Sequence, residues 1–233
     1  MKKSLILITT ISLFSCNSNT QTTSLKTIAE LPKDLKEISG IALSNNSIYS
    51  IEDSGNENQV TVLDTLGNIK RTISITNTEN IDWEDLTFDT KGNLYIGDFG
   101  NNYNIRKDLA IYKIDQSNLE GNSADIAYTI AFDYPEQTDF PPKKKQLMYD
   151  VEAFFEYQNY FYLFTKNRSK DFDGTSYVYK IPNTPGKHRA QLIQTITTCS
   201  DYLNCAITSA AISPDGSKFV LLSHSKIWLF ENY

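Results

Sequence analysis

Two Asp-x-Glu pairs, Asp82–Glu84 and Asp150–Glu152, are the residues of this sequence whose types and spacing best suit chemistry. Side chains two positions apart point to the same side of an extended strand, so each pair presents two carboxylates together. Carboxylates that share a site repel one another unless a cation or a basic side chain compensates their charge. Several hard oxygen ligands suit Ca²⁺ better than a transition metal. The pairs therefore predict a divalent-cation site, with Ca²⁺ as its ion.

These pairs open two of four similar segments, which are Glu37–Ala42, Asp82–Thr87, Asp150–Phe155 and Ile207–Ile212. A polar break and a β-rich run follow each segment, and the runs are Ser47–Glu52, Asn93–Asp98, Tyr160–Lys166 and Lys218–His224. Short antiparallel strands in units repeated at intervals of roughly 40–70 residues are typical of a β-propeller. A two-sheet sandwich is the alternative, but it does not explain the recurring acidic start. We therefore predict an all-β fold, a β-propeller with about four blades visible.

The two ends of the repeat region do not form whole blades. The fourth unit stops after part of a third strand, Lys226–Phe230, and Leu25–Leu31 is predicted as a spare outer strand before the first unit. A chain that ends inside a blade leaves a strand edge unpaired. We therefore expect a propeller domain at 25–233 whose last blade is incomplete, as part of a five- or six-bladed ring. A ring of four blades is the alternative.

In a propeller, the innermost strand begins and its hairpin partner ends on the same rim of the central channel. This rim gathers the metal-ligand candidates, which are Glu37, Asp82, Glu84, Asp150 and Glu152. It also gathers the ligand-binding candidates, which are Asp53, Asp98, Lys166, Arg168 and His224. Carboxylates beside basic residues can hold a small anionic ligand, such as a phosphate ester, next to a metal.

Each of these assignments has a structural alternative. An acidic residue that opens an inner strand can instead accept hydrogen bonds from backbone N–H groups of the neighbouring blade. The basic residues can likewise pair with carboxylates across the channel. No residue is predicted to be catalytic, because the sequence lacks the usual nucleophile and phosphate-binding motifs.

The N-terminus has the features of an export signal. A basic start at Met1–Lys3 precedes the apolar run Ser4–Phe14, which is too short to span a bilayer stably. Leu13–Cys16 resembles a bacterial lipobox, which predicts a signal peptide at 1–15, palmitate-type lipid on Cys16 and a flexible tether at 16–24. The expected location is the cell envelope, with the membrane as a partner through the lipid. An ordinary cleaved signal is the alternative.

The remaining two cysteines, Cys199 and Cys205, are separated by five residues. An exported protein folds in an oxidising compartment, so a disulfide across this short loop is expected. Two free, half-buried thiols are the alternative. A zinc site is disfavoured, because the sequence has no second cysteine pair and two dispersed histidines.

The overall charge disfavours one class of partner. The 22 Lys and Arg residues against 28 Asp and Glu residues give a net charge of −6, which disfavours nucleic-acid binding through phosphate contacts. With 40% hydrophobic and 21% charged residues, the chain is neither a polytopic membrane protein nor disordered.

A family resemblance rests on six motifs. They are Glu37–Gly40, Asp53–Asn56, Asp82–Asp85, Asp98–Asn101, Asp150–Ala153 and Thr165–Arg168. Together they resemble exported propeller proteins of Bacteroidetes that are similar to the phytase-like and SdiA-regulated propellers. The resemblance implies the propeller fold and calcium at the channel mouth, but a propeller by itself implies no reaction.

Three functions are compatible with these observations. The first is a binding or scaffold module whose acidic mouth takes a divalent cation. The second is a calcium-dependent hydrolase of phosphate esters or lactones, in which Glu37, Glu84 and Glu152 hold the metal, and Lys166 and Arg168 orient an anion. The third is a protein-interaction ring that uses the loops at 101–107 and 133–147. Activity that is lost on chelation would identify the hydrolase.

Overall fold

The computed structural model describes residues 26–231, which form seventeen strands in four sheets. The sheets follow one another along the chain and are arranged in a ring, so the predicted all-β propeller is confirmed, with four blades in this part of the chain. The predicted signal peptide at 1–15, the lipidation site Cys16 and the tether at 16–24 lie outside the described residues. The five- or six-bladed parent remains a prediction.

Strands are numbered here in chain order, and successive strands within a blade pair antiparallel. Blade 1 contains β1 (Ile38–Ser44), β2 (Ser47–Glu52), β3 (Gln59–Leu63) and β4 (Ile69–Thr76). Blade 2 contains β5 (Trp83–Phe88), β6 (Leu94–Asp98), β7 (Ala110–Ile114) and β9 (Tyr128–Asp133). Blade 3 contains β10 (Asp150–Tyr157), β11 (Tyr160–Lys166), β12 (Thr175–Pro182) and β14 (Gln191–Thr197). Blade 4 contains β15 (Ile207–Ile212), β16 (Lys218–Ser223) and β17 (Ile227–Glu231). The helical segments are the 3₁₀ turns Lys33–Leu35 and Gln116–Asn118 and the short helix α1 (Tyr202–Cys205).

Two further strands join neighbouring blades at their outer edges. Strand β8 (Ser123–Asp125) leaves blade 2 and pairs parallel with β4, and β13 (Gly186–Arg189) leaves blade 3 and pairs parallel with β9. Each strand covers an edge that would otherwise expose unpaired backbone groups. Neither strand was predicted from the sequence, because both are short and mostly polar.

The segment before the first blade differs from its prediction. Residues 26–31 form no strand, so the predicted strand Leu25–Leu31 is wrong over this described part. These residues instead pass over the turn at Gly67, where an added Cβ would lie 3.1 Å from the side chains of both Ala29 and Leu31. Gly67 has a φ of +83°, a conformation that favours glycine, and an added side chain would displace these two neighbours.

The hydrophobic core lies between the blades. One cluster joins Ile51 and Val62 of blade 1 to Trp83 and Leu94 of blade 2, and equivalent clusters join blade 2 to blade 3 and blade 3 to blade 4. Trp83 has no exposed surface. Burial of such apolar side chains stabilises the blade contacts by about 25 cal/mol per Å². Because Trp83 precedes Glu84, its packing also fixes the start of the inner strand.

Candidate metal centre

All four inner hairpins contain the same irregularity. The pairing register of β1 with β2, β5 with β6, β10 with β11 and β15 with β16 shifts by one residue near the start of the inner strand. The residues left without a partner are Ser39, Glu84, Glu152 and Thr208. A β-bulge of this kind redirects the side chain of the extra residue.

The four bulge residues line one cavity of about 1140 Å³, which we call the central cavity. Every described blade therefore contributes one polar side chain from an equivalent position. In blades 2 and 3 that side chain is the glutamate of an Asp-x-Glu pair. The bulge interrupts the regular alternation of the strand, so the two carboxylates of each pair are not placed by alternation alone.

The carboxylates form two overlapping groups. The first trio is Asp53, Asp82 and Glu84, and the second trio is Glu84, Asp150 and Glu152. Within each trio, one ligand oxygen per residue lies within 4.8 Å of the others. Blades 1, 2 and 3 thus place four carboxylates around Glu84, which belongs to both trios. This geometry is suited to an ion with oxygen ligands.

Glu84 is the least compensated of these carboxylates. Its side chain is buried, with 7% of the residue exposed, and no hydrogen-bond donor or basic side chain among residues 26–231 contacts its carboxylate. Burial, reinforced by the charges of Glu152, Asp150, Asp82 and Asp53, raises the pKa of Glu84 to about 10. A buried, unpaired carboxylate is costly, so Glu84 must either hold a proton or face a cation.

The other two members of the second trio are paired with basic residues. Lys166 Nζ lies 2.5 Å from Glu152 Oε2, and Arg168 Nε lies 2.6 Å from Asp150 Oδ2. Arg168 Nη2 also donates to Glu152 Oε1. Burial raises the pKa of Asp150 to about 6, because the opposing effect of Arg168 does not fully offset it. Lys166 and Arg168 therefore pair with carboxylates, which was the alternative to binding an anionic ligand. The carboxylates belong to their own blade 3 and do not lie across the channel.

The first trio has no such partner in the described residues. Asp53 accepts a 2.6 Å hydrogen bond from the Ser54 N–H, and burial together with the nearby Asp53 charge raises the pKa of Asp82 to about 6. The trio depends on Gly100, because a Cβ on that residue would overlap both the Glu84 carboxylate and the Asp82 carboxylate. The first trio is therefore the more open position for a cation.

The remaining candidates lie around the trios without joining them. Asp98 is buried, forms a 2.9 Å ion pair with Arg106 and accepts a 3.1 Å hydrogen bond from the Asp82 N–H. Glu37 is exposed and accepts a 2.9 Å hydrogen bond from Asn56, while His224 is an exposed residue of the cavity wall. Asp98 thus supports the backbone of the site, and the other two lie at its edge.

Asp85 is an important residue that the sequence analysis did not select. It is fully buried, and its Oδ2 atom accepts hydrogen bonds from Phe154 N of blade 3 at 3.3 Å and Ser209 Oγ of blade 4 at 3.2 Å. Asp150 makes a comparable contact, since it accepts a 2.7 Å bond from Asn101 N of blade 2. The sequence feature that could have identified Asp85 is its place as the last residue of the acidic motif Asp82–Asp85. Both residues tie blades together.

The predicted disulfide is present between Cys199 and Cys205, and it closes the loop that contains α1. Disulfides are typical of proteins that fold outside the reducing cytosol. No helix within residues 26–231 is both long enough and apolar enough to cross a membrane.

Comparison with known proteins identifies no family. No family model matches this chain, and no curated protein matches it significantly. Among solved structures, the crystal structure of the computationally designed Ika4 protein is 12% identical, with a TM-score of 0.37 over 89% of this chain and 99% of that one. The computationally designed Ika8 protein is 13% identical, with a TM-score of 0.36 over 83% of this chain and 45% of that one.

Proposed function

We propose that this protein is a propeller-type binding module whose central cavity takes one divalent cation, Ca²⁺, between Asp53, Asp82 and Glu84. The observation that carries the proposal is Glu84, a buried carboxylate with no donor or basic partner among residues 26–231. Four other carboxylates raise its pKa, and a bound cation would reverse that effect.

The ligand set favours calcium over other metals. The first trio offers only carboxylate oxygens, which suit Ca²⁺ and Mg²⁺ better than zinc or copper. Asp53 directly follows β2 of blade 1, whereas Asp82 directly precedes β5 of blade 2 and Glu84 is the second residue of that strand. Such a set fits the variable coordination of Ca²⁺ better than the strict octahedron of Mg²⁺. The resemblance of the rim motifs to phytase-like propellers supports the same ion.

The ion pairs of the basic residues favour a binding module over a calcium-dependent hydrolase. Lys166 and Arg168 would have to orient an anionic substrate, but both are already paired with Glu152 or Asp150. His224 is exposed at the cavity edge and contacts no carboxylate within the described part of the chain. The anion site therefore has less support than the cation site.

We also propose that the protein is exported and anchored to the cell envelope by lipid on Cys16. The basic start, the apolar run and Leu13–Cys16 support this location, and the disulfide Cys199–Cys205 is consistent with it. Metabolic labelling with a palmitate analogue tests the anchor. Label and membrane association should be lost in Cys16→Ala; a labelled Cys16→Ala protein would contradict the proposal.

Calorimetric titration of the chelator-treated protein with Ca²⁺ and with Mg²⁺ tests the cation site. The wild type should bind one Ca²⁺, and Glu84→Gln should lower the affinity by more than about tenfold, because a carboxylate ligand is lost. Glu120→Gln is the matched control, since it removes the same charge at an exposed position. No Ca²⁺ binding by the wild type, or equal binding by Glu84→Gln, would refute the proposal.

A further inference from the structure

Arg168 is held by a residue from outside its own blade. Its guanidinium donates to Asp150 and Glu152, and its Nη1 atom also donates a 2.6 Å hydrogen bond to the Tyr202 hydroxyl. Tyr202 lies in α1, between blades 3 and 4. Tyr202 is therefore one of three side chains that orient the arginine, and it is the one that comes from this loop.

The disulfide Cys199–Cys205 closes the loop that contains Tyr202. Cys205 is fully buried, and its backbone carbonyl accepts a 2.8 Å hydrogen bond from Thr198 Oγ1. The Tyr202 ring packs edge-on against Phe172, with 5.3 Å between the ring centroids. The hydroxyl thus has a fixed position as long as the loop keeps its closed geometry.

The surroundings of the disulfide favour thiol exchange. Cys199 is partly exposed whereas Cys205 is fully buried, which makes Cys199 the more accessible of the two cysteines. Lys226 Nζ lies 3.1 Å from Cys205 Sγ and 3.4 Å from Cys199 Sγ. A neighbouring ammonium group stabilises a cysteine thiolate, which makes Cys205 the better leaving group.

We propose that Tyr202 is a positioning residue that holds Arg168 over Asp150 and Glu152, and that reduction of Cys199–Cys205 by a dithiol releases this hold and raises the cation affinity of the central cavity. The inference rests on the proposed cation site. In the exchange, a dithiol thiolate attacks Cys199 Sγ and Cys205 leaves as a thiolate beside Lys226. The second thiol of the reductant then displaces Cys199. The protein gains two electrons and two protons, and the dithiol becomes a cyclic disulfide.

Electrostatics sets the direction of the effect. In the disulfide form, Arg168 and Lys166 pair with Asp150 and Glu152, which are two of the carboxylates grouped with Glu84. An arginine that is less tightly held compensates Asp150 and Glu152 less completely. A cation near Glu84 then meets a more negative cavity and finds more free oxygen ligands.

Calcium titrations of the full chain, with and without dithiothreitol, test this link. Reduction should strengthen Ca²⁺ binding several-fold in the wild type. Tyr202→Phe should show the strengthened binding while still oxidised, and reduction should add little to it. Tyr160→Phe is the matched control, because Tyr160 lies at the far end of the β10–β11 hairpin and should respond to reduction as the wild type does.

The outcomes separate this inference from the proposed function. If the oxidised wild type binds Ca²⁺ but reduction leaves the affinity unchanged, the redox link is wrong and the cation site remains. If reduction raises the Ca²⁺ affinity of Tyr202→Phe as much as that of the wild type, Tyr202 does not position Arg168 and the inference is wrong. If no form binds Ca²⁺, both proposals fail. Melting curves in chelator provide a metal-free readout, since the fall in Tm on reduction should be smaller in Tyr202→Phe.

Discussion

Glu84 and Glu152 occupy the same bulge position in neighbouring blades, and their carboxylate oxygens lie within 4.8 Å of each other across the boundary between blades 2 and 3. Their surroundings are nevertheless different. Glu152 pairs with Lys166 and Arg168, whereas Glu84 has no basic partner among residues 26–231. One repeated position thus holds an ion pair in one blade and, in the next, an unpaired carboxylate that we propose as a cation ligand.

The first prediction concerns the pH dependence of stability. The pKa of Glu84 is about 10 in the folded protein and near 4.3 in an unfolded chain. Between these values the folded protein holds a proton that the unfolded chain has lost, so without metal the free energy of unfolding should fall as the pH rises. The slope is at most about 1.4 kcal/mol per pH unit for this one group.

Urea unfolding in chelator between pH 6.5 and 9 measures this slope above the pKa values of Asp82 and Asp150, which are each about 6. Glu84→Gln should flatten the profile, and saturating Ca²⁺ should flatten that of the wild type. A slope in chelator that is identical in wild type and Glu84→Gln would show that Glu84 does not carry the proton.

The second prediction concerns Gly100. A methyl group at this position overlaps the Asp82 and Glu84 carboxylates, so Gly100→Ala should spread the first trio and weaken Ca²⁺ binding by about tenfold or more. Gly121→Ala is the matched control, because the nearest atom to its added Cβ lies 3.4 Å away. Calorimetry on both variants compares them directly. Unchanged affinity in Gly100→Ala would place the cation elsewhere.

The third prediction concerns Arg168. Arg168→Gln leaves the fully buried Asp150 without its ionic partner and should lower the free energy of unfolding by about 3–5 kcal/mol in chelator. Calcium should recover part of this loss, because a bound cation can compensate the same carboxylates. Arg189→Gln is the control, since that side chain is 71% exposed and lies 3.6 Å from Asp133. An equal loss of unfolding free energy in Arg168→Gln and Arg189→Gln would contradict the role of Arg168 as the ionic partner of Asp150.

The fourth prediction separates blade cohesion from cation binding. In Asp85→Asn, one carboxylate oxygen that accepts backbone or hydroxyl hydrogen bonds is replaced by an amide donor. The variant should lose about 1–3 kcal/mol of stability while its Ca²⁺ affinity stays within about twofold of wild type. Denaturant unfolding and calorimetry on the same sample measure both. A large loss of affinity without loss of stability would instead make Asp85 part of the cation site.

Much of this architecture follows from the sequence. The recurring acidic starts and β-rich runs predicted the propeller, and the spacing of Cys199 and Cys205 predicted the disulfide. These features are local, because strand periodicity, turn chemistry and a short cysteine spacing depend on neighbouring residues. The parallel strands β8 and β13 were missed for the same reason, since each is stabilised by a blade distant in sequence.

The division of roles among the carboxylates was decided by the tertiary structure. The sequence places Glu84 and Glu152 in the same motif, and the basic residues Lys166 and Arg168 are the sign in the sequence that their surroundings differ. The β10–β11 hairpin brings Lys166 and Arg168 onto Glu152, but only the folded ring gathers Asp53, Asp150 and Glu152 around Glu84 and places Asp85 between three blades. The ionisation of a carboxylate depends on burial and on charges within a few ångströms, and for Glu84 those neighbours come from blades 1 and 3 as well as its own.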